Sequence, residues 1–97
     1  MSMTVVVTRN VSSRVRGFLA SLMLELAPGV YSAPRLSPSV RERIWEVLED
    51  WFPREDDATV ILLWQERGIP GGQAVRVLGT PPIHFHEVDG LFLARRN

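Results

Sequence analysis

The chain has 97 residues, 45% of them hydrophobic, with 11 basic and 11 acidic side chains and a formal net charge of zero. That length suits one compact domain around one core, and balanced charge excludes nucleic-acid binding through bulk charge alone. The absence of cysteine excludes disulfides, thiolate metal sites and thiol nucleophiles. No apolar run approaches the ~20 residues of a membrane span, and MSMTVVV lacks the basic lead and cleavage site of a signal peptide, so a cytoplasmic protein is expected. All 11 basic residues are arginines, each a planar fork of donors that fits phosphate oxygens.

Met3 to Thr8 is β-branched and nearly all apolar, which predicts a central strand buried on both faces. Asn10, Ser12 and Ser13 follow as candidate helix caps. Val15, Phe18, Leu19, Leu22 and Leu26 then recur at helical spacing up to Pro28 and Gly29. GVYSA, from Gly29 to Ala33, is a second strand signal; Glu25 to Ala27 either pairs with it or closes the helix. Ser37 before Pro38 starts a second helix, with Val40, Ile44, Val47, Leu48 and Trp51 inside and Arg41, Glu42, Arg43, Glu46, Glu49 and Asp50 outside, stopped by Pro53.

After the acidic turn REDDA, Thr59 to Trp64 is the most apolar strand, and ERGIPGG returns the chain into QAVRVLG as an antiparallel hairpin. TPPIHFHEVDG reads as a connection to a last short strand, LFLA. Two amphipathic helices on one face of a mostly antiparallel sheet is the ferredoxin-like α+β plan, βαββαβ with additional C-terminal strands, in a single domain spanning residues 1–97. A hydrophobic edge strand on so small a sheet predicts pairing with a second chain.

Arg14 and Arg16 stand where local physics disfavours them. The start of a helix carries about half a positive charge, so a cation in the first turn is unfavourable by roughly 0.3–1 kcal/mol. Beside free backbone N–H groups, and with Arg9 just before the helix, they make an anion site suited to phosphate; the alternative is plain solvated charge. A metal site at the tip of the first strand is disfavoured, because no Asp or Glu occurs before Met23 and Arg9 would repel a cation. His84 and His86, near Glu87 and Asp89, are too loosely spaced to specify a metal. Ser12 and Ser13 have no nucleophile elbow, GIPGG matches no phosphate loop, and Glu55, Asp56 and Asp57 read as a solvated turn. The three tryptophans read as core.

Several motifs, in order, resemble the type I-E (Cascade-type) subfamily of CRISPR-associated protein two. They are VVVT closing in T-x-N at Thr8 and Asn10, R-x-R-G from Arg14 to Gly17, Leu19, Leu22 and Glu25, and GVY from Gly29 to Tyr31. S-x-x-V-R-x-x-I-W through Ser37, Val40, Arg41, Ile44 and Trp45, the strand ending in Trp64, and V-D-G-L from Val88 to Leu91 extend the resemblance over nearly the whole chain.

The resemblance implies a ferredoxin-like homodimer acting in CRISPR adaptation. The dimer would sit between two dimers of the integrase, CRISPR-associated protein one, and hold duplex prespacer DNA. It places integrase docking in residues 88–97, with Leu91, Phe92 and Leu93 as apolar anchors, and DNA-backbone contacts at Arg14 and Arg16. A basic pair that some relatives carry before the last strand is replaced by Pro82 and Ile83, so the resemblance implies that this contact is either absent or moved to Arg76 or Arg95. The nuclease label of the family rests on an acid at the end of the first strand, where this chain has Arg9. The adaptor role requires no cofactor, whereas Mg²⁺ would be needed by the alternative, a metal-dependent endonuclease. An unrelated RNA-recognition domain is disfavoured because no strand carries paired exposed aromatics.

Overall fold

The computed structural model describes residues 2–79, 83–88 and 91–96, with side chains for residues 2–79. Strand β1 (Ser2–Arg9) lies at the centre of a five-stranded antiparallel sheet. Its neighbours are β3 (Val30–Leu36) and β4 (Thr59–Gln65), with β2 (Leu24–Ala27) beyond β3 and β5 (Gln73–Leu78) beyond β4. Helices α1 (Ser13–Leu22) and α2 (Pro38–Trp51) supply one side of the core. Read in order, β1-α1-β2-β3-α2-β4 is the ferredoxin-like plan, and β5 extends it by a hairpin.

The expectation that β1 is buried on both faces is corrected. Thr4 and Val6, facing the helices, are 0% exposed, whereas Met3 is 58% exposed. Both helices pack on the same side, as antiparallel sheets permit. Cross-strand pairing puts Val5 opposite Leu63, Val7 opposite Ile61, and Val75 and Val77 opposite Leu63 and Ile61 on the face away from the helices. None of these residues is fully buried.

The undecided segment after α1 is a strand. Met23 ends the helix with its N–H on the Leu19 carbonyl at 2.8 Å and an extended backbone, and Leu24 and Glu25 then pair with Ser32 and Tyr31. Leu22 and Leu26, expected on the inner stripe, are 47% and 61% exposed, Leu22 as the last residue of α1 and Leu26 on the edge strand β2. At the β2–β3 turn Gly29 has φ +80°, and a Cβ there would lie 2.7 Å from the Thr8 carbonyl oxygen. Only glycine allows that approach, which the Thr8 N–H uses to reach the Gly29 carbonyl at 2.7 Å.

Helix α2 starts as its sequence predicts, with Ser37 Oγ accepting from Val40 N–H at 3.2 Å and Pro38 in the first turn. Ile44 and Leu48 are buried as expected, but Val40 is 43% exposed and Arg41, assigned to the outer face, is 7% exposed. The stripe is rotated so that Arg41 lies over the Trp64 ring, 4.2 Å from its centroid. A short 3-10 turn containing Pro53 (Phe52–Arg54) follows the helix.

The segment read as a connection before LFLA also proves to be regular. Ile83–Val88 forms β6 and pairs antiparallel with β7 (Leu91–Arg96), from Ile83 opposite Arg96 to Val88 opposite Leu91. This pair is a separate two-stranded sheet. The prolines at 81 and 82 suggested a loop, but they precede the strand and leave its pairing intact.

Candidate nucleic-acid interface

The tip of β1 and the start of α1 are brought together by a short left-handed turn. Asn10 has φ 57° and sends its side-chain amide to the Asp57 carbonyl at 3.3 Å. Asparagine tolerates this conformation because its short polar side chain bonds locally. Ser12 caps α1, its Oγ accepting from Val15 N–H at 3.4 Å. The same hydroxyl donates to Glu55 Oε2 at 2.8 Å, while the Ser12 N–H donates to Glu55 Oε1. Of the acidic turn read as solvated, Glu55 is therefore an anion seated at a helix N-terminus, where a carboxylate is favoured.

This placement corrects two inferences from local sequence. The anion site was argued from free backbone N–H groups, yet the Ser12 N–H is occupied. The tip was also described as lacking acids, but the fold brings the 55–57 segment to it from 43 residues away. Nothing near residue 10 signals this, because the partner lies at the far end of α2.

Glu55→Gln should therefore destabilise the protein by about 1 kcal/mol through loss of a charged cap. For a domain of this size that corresponds to roughly 4–8 °C in melting temperature. Thermal unfolding followed by circular dichroism measures it, and an unchanged midpoint would mean that the cap contributes nothing.

Arg9, Arg14 and Arg16 are all exposed at this end. Arg14 lies over the Trp51 ring at 3.9 Å from the centroid, and Trp51 in turn meets Phe18 edge-on with centroids 5.2 Å apart. A guanidinium over an indole ring is held by a cation–π contact, which restrains the side chain. Arg16 acts on Tyr31, whose side chain is 0% exposed. The Tyr31 hydroxyl has no hydrogen-bond partner at normal distance. Burial, then the Glu25 carboxylate, pushes the Tyr31 pKa above its ordinary 10.0, and Arg16 opposes that shift, so the phenol stays neutral at physiological pH.

Arg76, the fourth basic candidate, is placed elsewhere. It lies on β5 opposite Leu62, on the helix side, with Nη2 2.9 Å from Glu42 Oε1 and its guanidinium 5.9 and 5.5 Å from the Trp45 and Trp64 rings. The tryptophans read as core thus have a second role, since Trp45, Trp51 and Trp64 each face an arginine. Arg95 and the apolar anchors Leu91, Phe92 and Leu93 lie on β7, outside the residues whose side chains are described, as do His84 and His86 on β6.

The donor set at the β1 tip does not fit a Mg²⁺ site. Both Glu55 oxygens accept from Ser12, and the strand tip itself ends in the Arg9 cation. Among the described residues no group of three or more His, Asp or Glu side chains could hold a metal ion. No helix among them is long and apolar enough to cross a membrane.

A ferredoxin-like sheet, with an arginine-bearing helix start at the tip of its first strand, defines a small α+β protein. Residues 3–93 match the family described as CRISPR-associated protein (Cas_Cas2CT1978), and the chain belongs to that family of CRISPR-associated proteins. The match covers both helices and all of the main sheet except Ser2 at its start.

Proposed function

We propose that this protein is a type I-E adaptor in CRISPR adaptation, a homodimer that binds duplex prespacer DNA by its backbone and bridges two integrase dimers. The observation that carries the DNA half is the exposure of Arg14 and Arg16 in the first turn of α1, with Arg9 on the adjoining strand tip. The first turn itself carries no acid, Glu55 being engaged one residue earlier by the Ser12 cap, and Arg14 lies over the Trp51 ring. Such contacts fix a duplex without reading its sequence, so binding is salt-dependent and sequence-blind.

Support for the homodimer comes from the sheet face opposite the helices, where Met3, Val5, Val7, Ile61 and Leu63 share one surface. A contiguous apolar face without helices to cover it is the kind of surface that serves as an association site. The integrase contact is assigned to residues 88–97, centred on Leu91, Phe92 and Leu93, and the C-terminal strand pair gives that segment a regular backbone on which to present them. The adaptor role uses no metal chemistry.

The testing experiment mixes the protein with its cognate integrase and a DNA duplex in EDTA and weighs the products by size-exclusion chromatography with light scattering. The expected result is a ternary assembly without divalent metal, lost on truncation after Asp89. Failure to assemble at low salt overturns the adaptor reading and leaves metal-dependent cleavage as the activity to assay.

A further inference from the structure

A polar recess lies at the end of the sheet away from Arg9. The length of β1 separates the two ends, about 23 Å at ~3.3 Å per residue. The recess has a volume of about 460 Å³ and opens among Ser2, Pro38, Arg41, Gln65, Glu66 and Arg67. Helix α2 begins in its wall with Pro38, so the positive end of a 14-residue helix borders it.

Arg41 gives the recess its chemistry. It is 7% exposed, and its Nε–H has no acceptor among the protein atoms. A guanidinium carries five donors, and a buried one is normally saturated by carboxylate or carbonyl oxygens. Here the neighbouring carboxylate is that of Glu66, with Oε2 3.9 Å from Arg41 Nη2, at the outer limit of an ion pair. Glu66 is restrained there because the same oxygen accepts from Trp64 Nε1 at 2.8 Å. Trp64 thus holds the guanidinium by its ring and holds the carboxylate back by its N–H.

The rim adds a second cation, the exposed Arg67, and a hydroxyl, Ser2 Oγ, which now donates to the Gln65 carbonyl at 3.2 Å. Two guanidiniums and a helix N-terminus against one carboxylate leave the recess net positive. The donors also come from separate elements: β1, α2 and the turn after β4. Donors drawn from separate elements around one recess suit the several oxygens of a phosphate, whereas a planar carboxylate is satisfied by one guanidinium fork.

We propose that this recess binds a phosphate group between Arg41 and Arg67 at the start of α2. The phosphate belongs either to a small molecule or to a nucleic-acid backbone. The site shares no residue with the Arg9, Arg14 and Arg16 end and does not depend on the function proposed for it.

The test is a titration of inorganic phosphate into the full chain at constant low ionic strength, following the Arg41 Nε–H resonance by NMR. A saturable shift is expected. Arg67→Ala should weaken it roughly 5–10-fold and Glu66→Gln should strengthen it, while Arg14→Ala with Arg16→Ala should leave it unchanged. Arg67 is exposed, so its replacement leaves the fold intact and keeps the test independent of any loss of Arg41 packing.

A blunt DNA duplex added to the phosphate-saturated protein separates the two sources. Displacement of phosphate from Arg41 assigns the site to a nucleic-acid backbone, and its retention assigns it to a small phosphate. Absence of a saturable shift overturns the proposal. So does an equal shift with acetate, or one indifferent to Arg67→Ala.

Discussion

Replacing Arg14 and Arg16 together by alanine is expected to weaken duplex binding roughly 100-fold at low salt, from two lost charge-assisted contacts of about 1.5 kcal/mol each. It should also lower the slope of log K against log salt by about 2 for each protomer engaged, since each neutralised phosphate contributes about 0.9. Both side chains are exposed, and the buried positions of α1 are Val15 and Leu19, so the double variant should fold. The measurement is fluorescence anisotropy of a labelled duplex across a salt series. A distinction within the pair is also expected. Arg14→Lys retains charge but loses the guanidinium contact with Trp51, so it should keep the slope while losing part of the affinity. If the double variant matched the parent in both affinity and slope, this end of the molecule would not bind DNA.

The second large effect is expected at the open face of the sheet. Leu63 lies on β4 opposite Val5 and Val75, pointing away from both helices. In a dimer joined through this face, Leu63→Asp would bury an unpaired carboxylate at the interface, a cost of several kcal/mol that no neighbouring group offsets. The expected outcome is a shift from twice 11.0 kDa to the monomer mass in light scattering at micromolar concentration. The core packs on the opposite face, through Val6, Tyr31 and Leu62. Far-UV circular dichroism should therefore change little. An unchanged mass would show that self-association uses another surface.

These two predictions draw unequally on sequence. The arginine pair was legible because a helix start is a local event: Ser12 caps, Val15 and Leu19 set the stripe, and cations in the first turn conflict with the helix dipole. Its electrostatic setting was not legible. Glu55 reaches Ser12 across 43 residues, and no local pattern encodes a contact made by packing α2 against the sheet. The same limit explains Arg41, which alternation with Glu42 and Arg43 assigned to solvent. Periodicity fixes which residues share a face but not how the helix is rotated on the sheet, and here that rotation sets Arg41 over the Trp64 ring. Arg76 shows the converse, since its place on a strand was foreseen while its pairing with Glu42 and proximity to two tryptophans depended on which side of the sheet the helices chose.

What the sequence determined by itself is the order β1, α1, β3, α2, β4 and β5, the caps at Ser12 and Ser37, and the ferredoxin-like plan, because short-range periodicity, turn residues and capping oxygens act within a few positions of one another. Tertiary structure alone decided that the segment after α1 pairs as a strand, that β1 is fully buried only on its helix side, that Glu55 caps α1, and that Arg41 is held in a recess against Trp64. Each of these is a contact between residues distant in the chain. Such contacts are fixed only when apolar faces are buried together and the polar groups carried in with them must find partners.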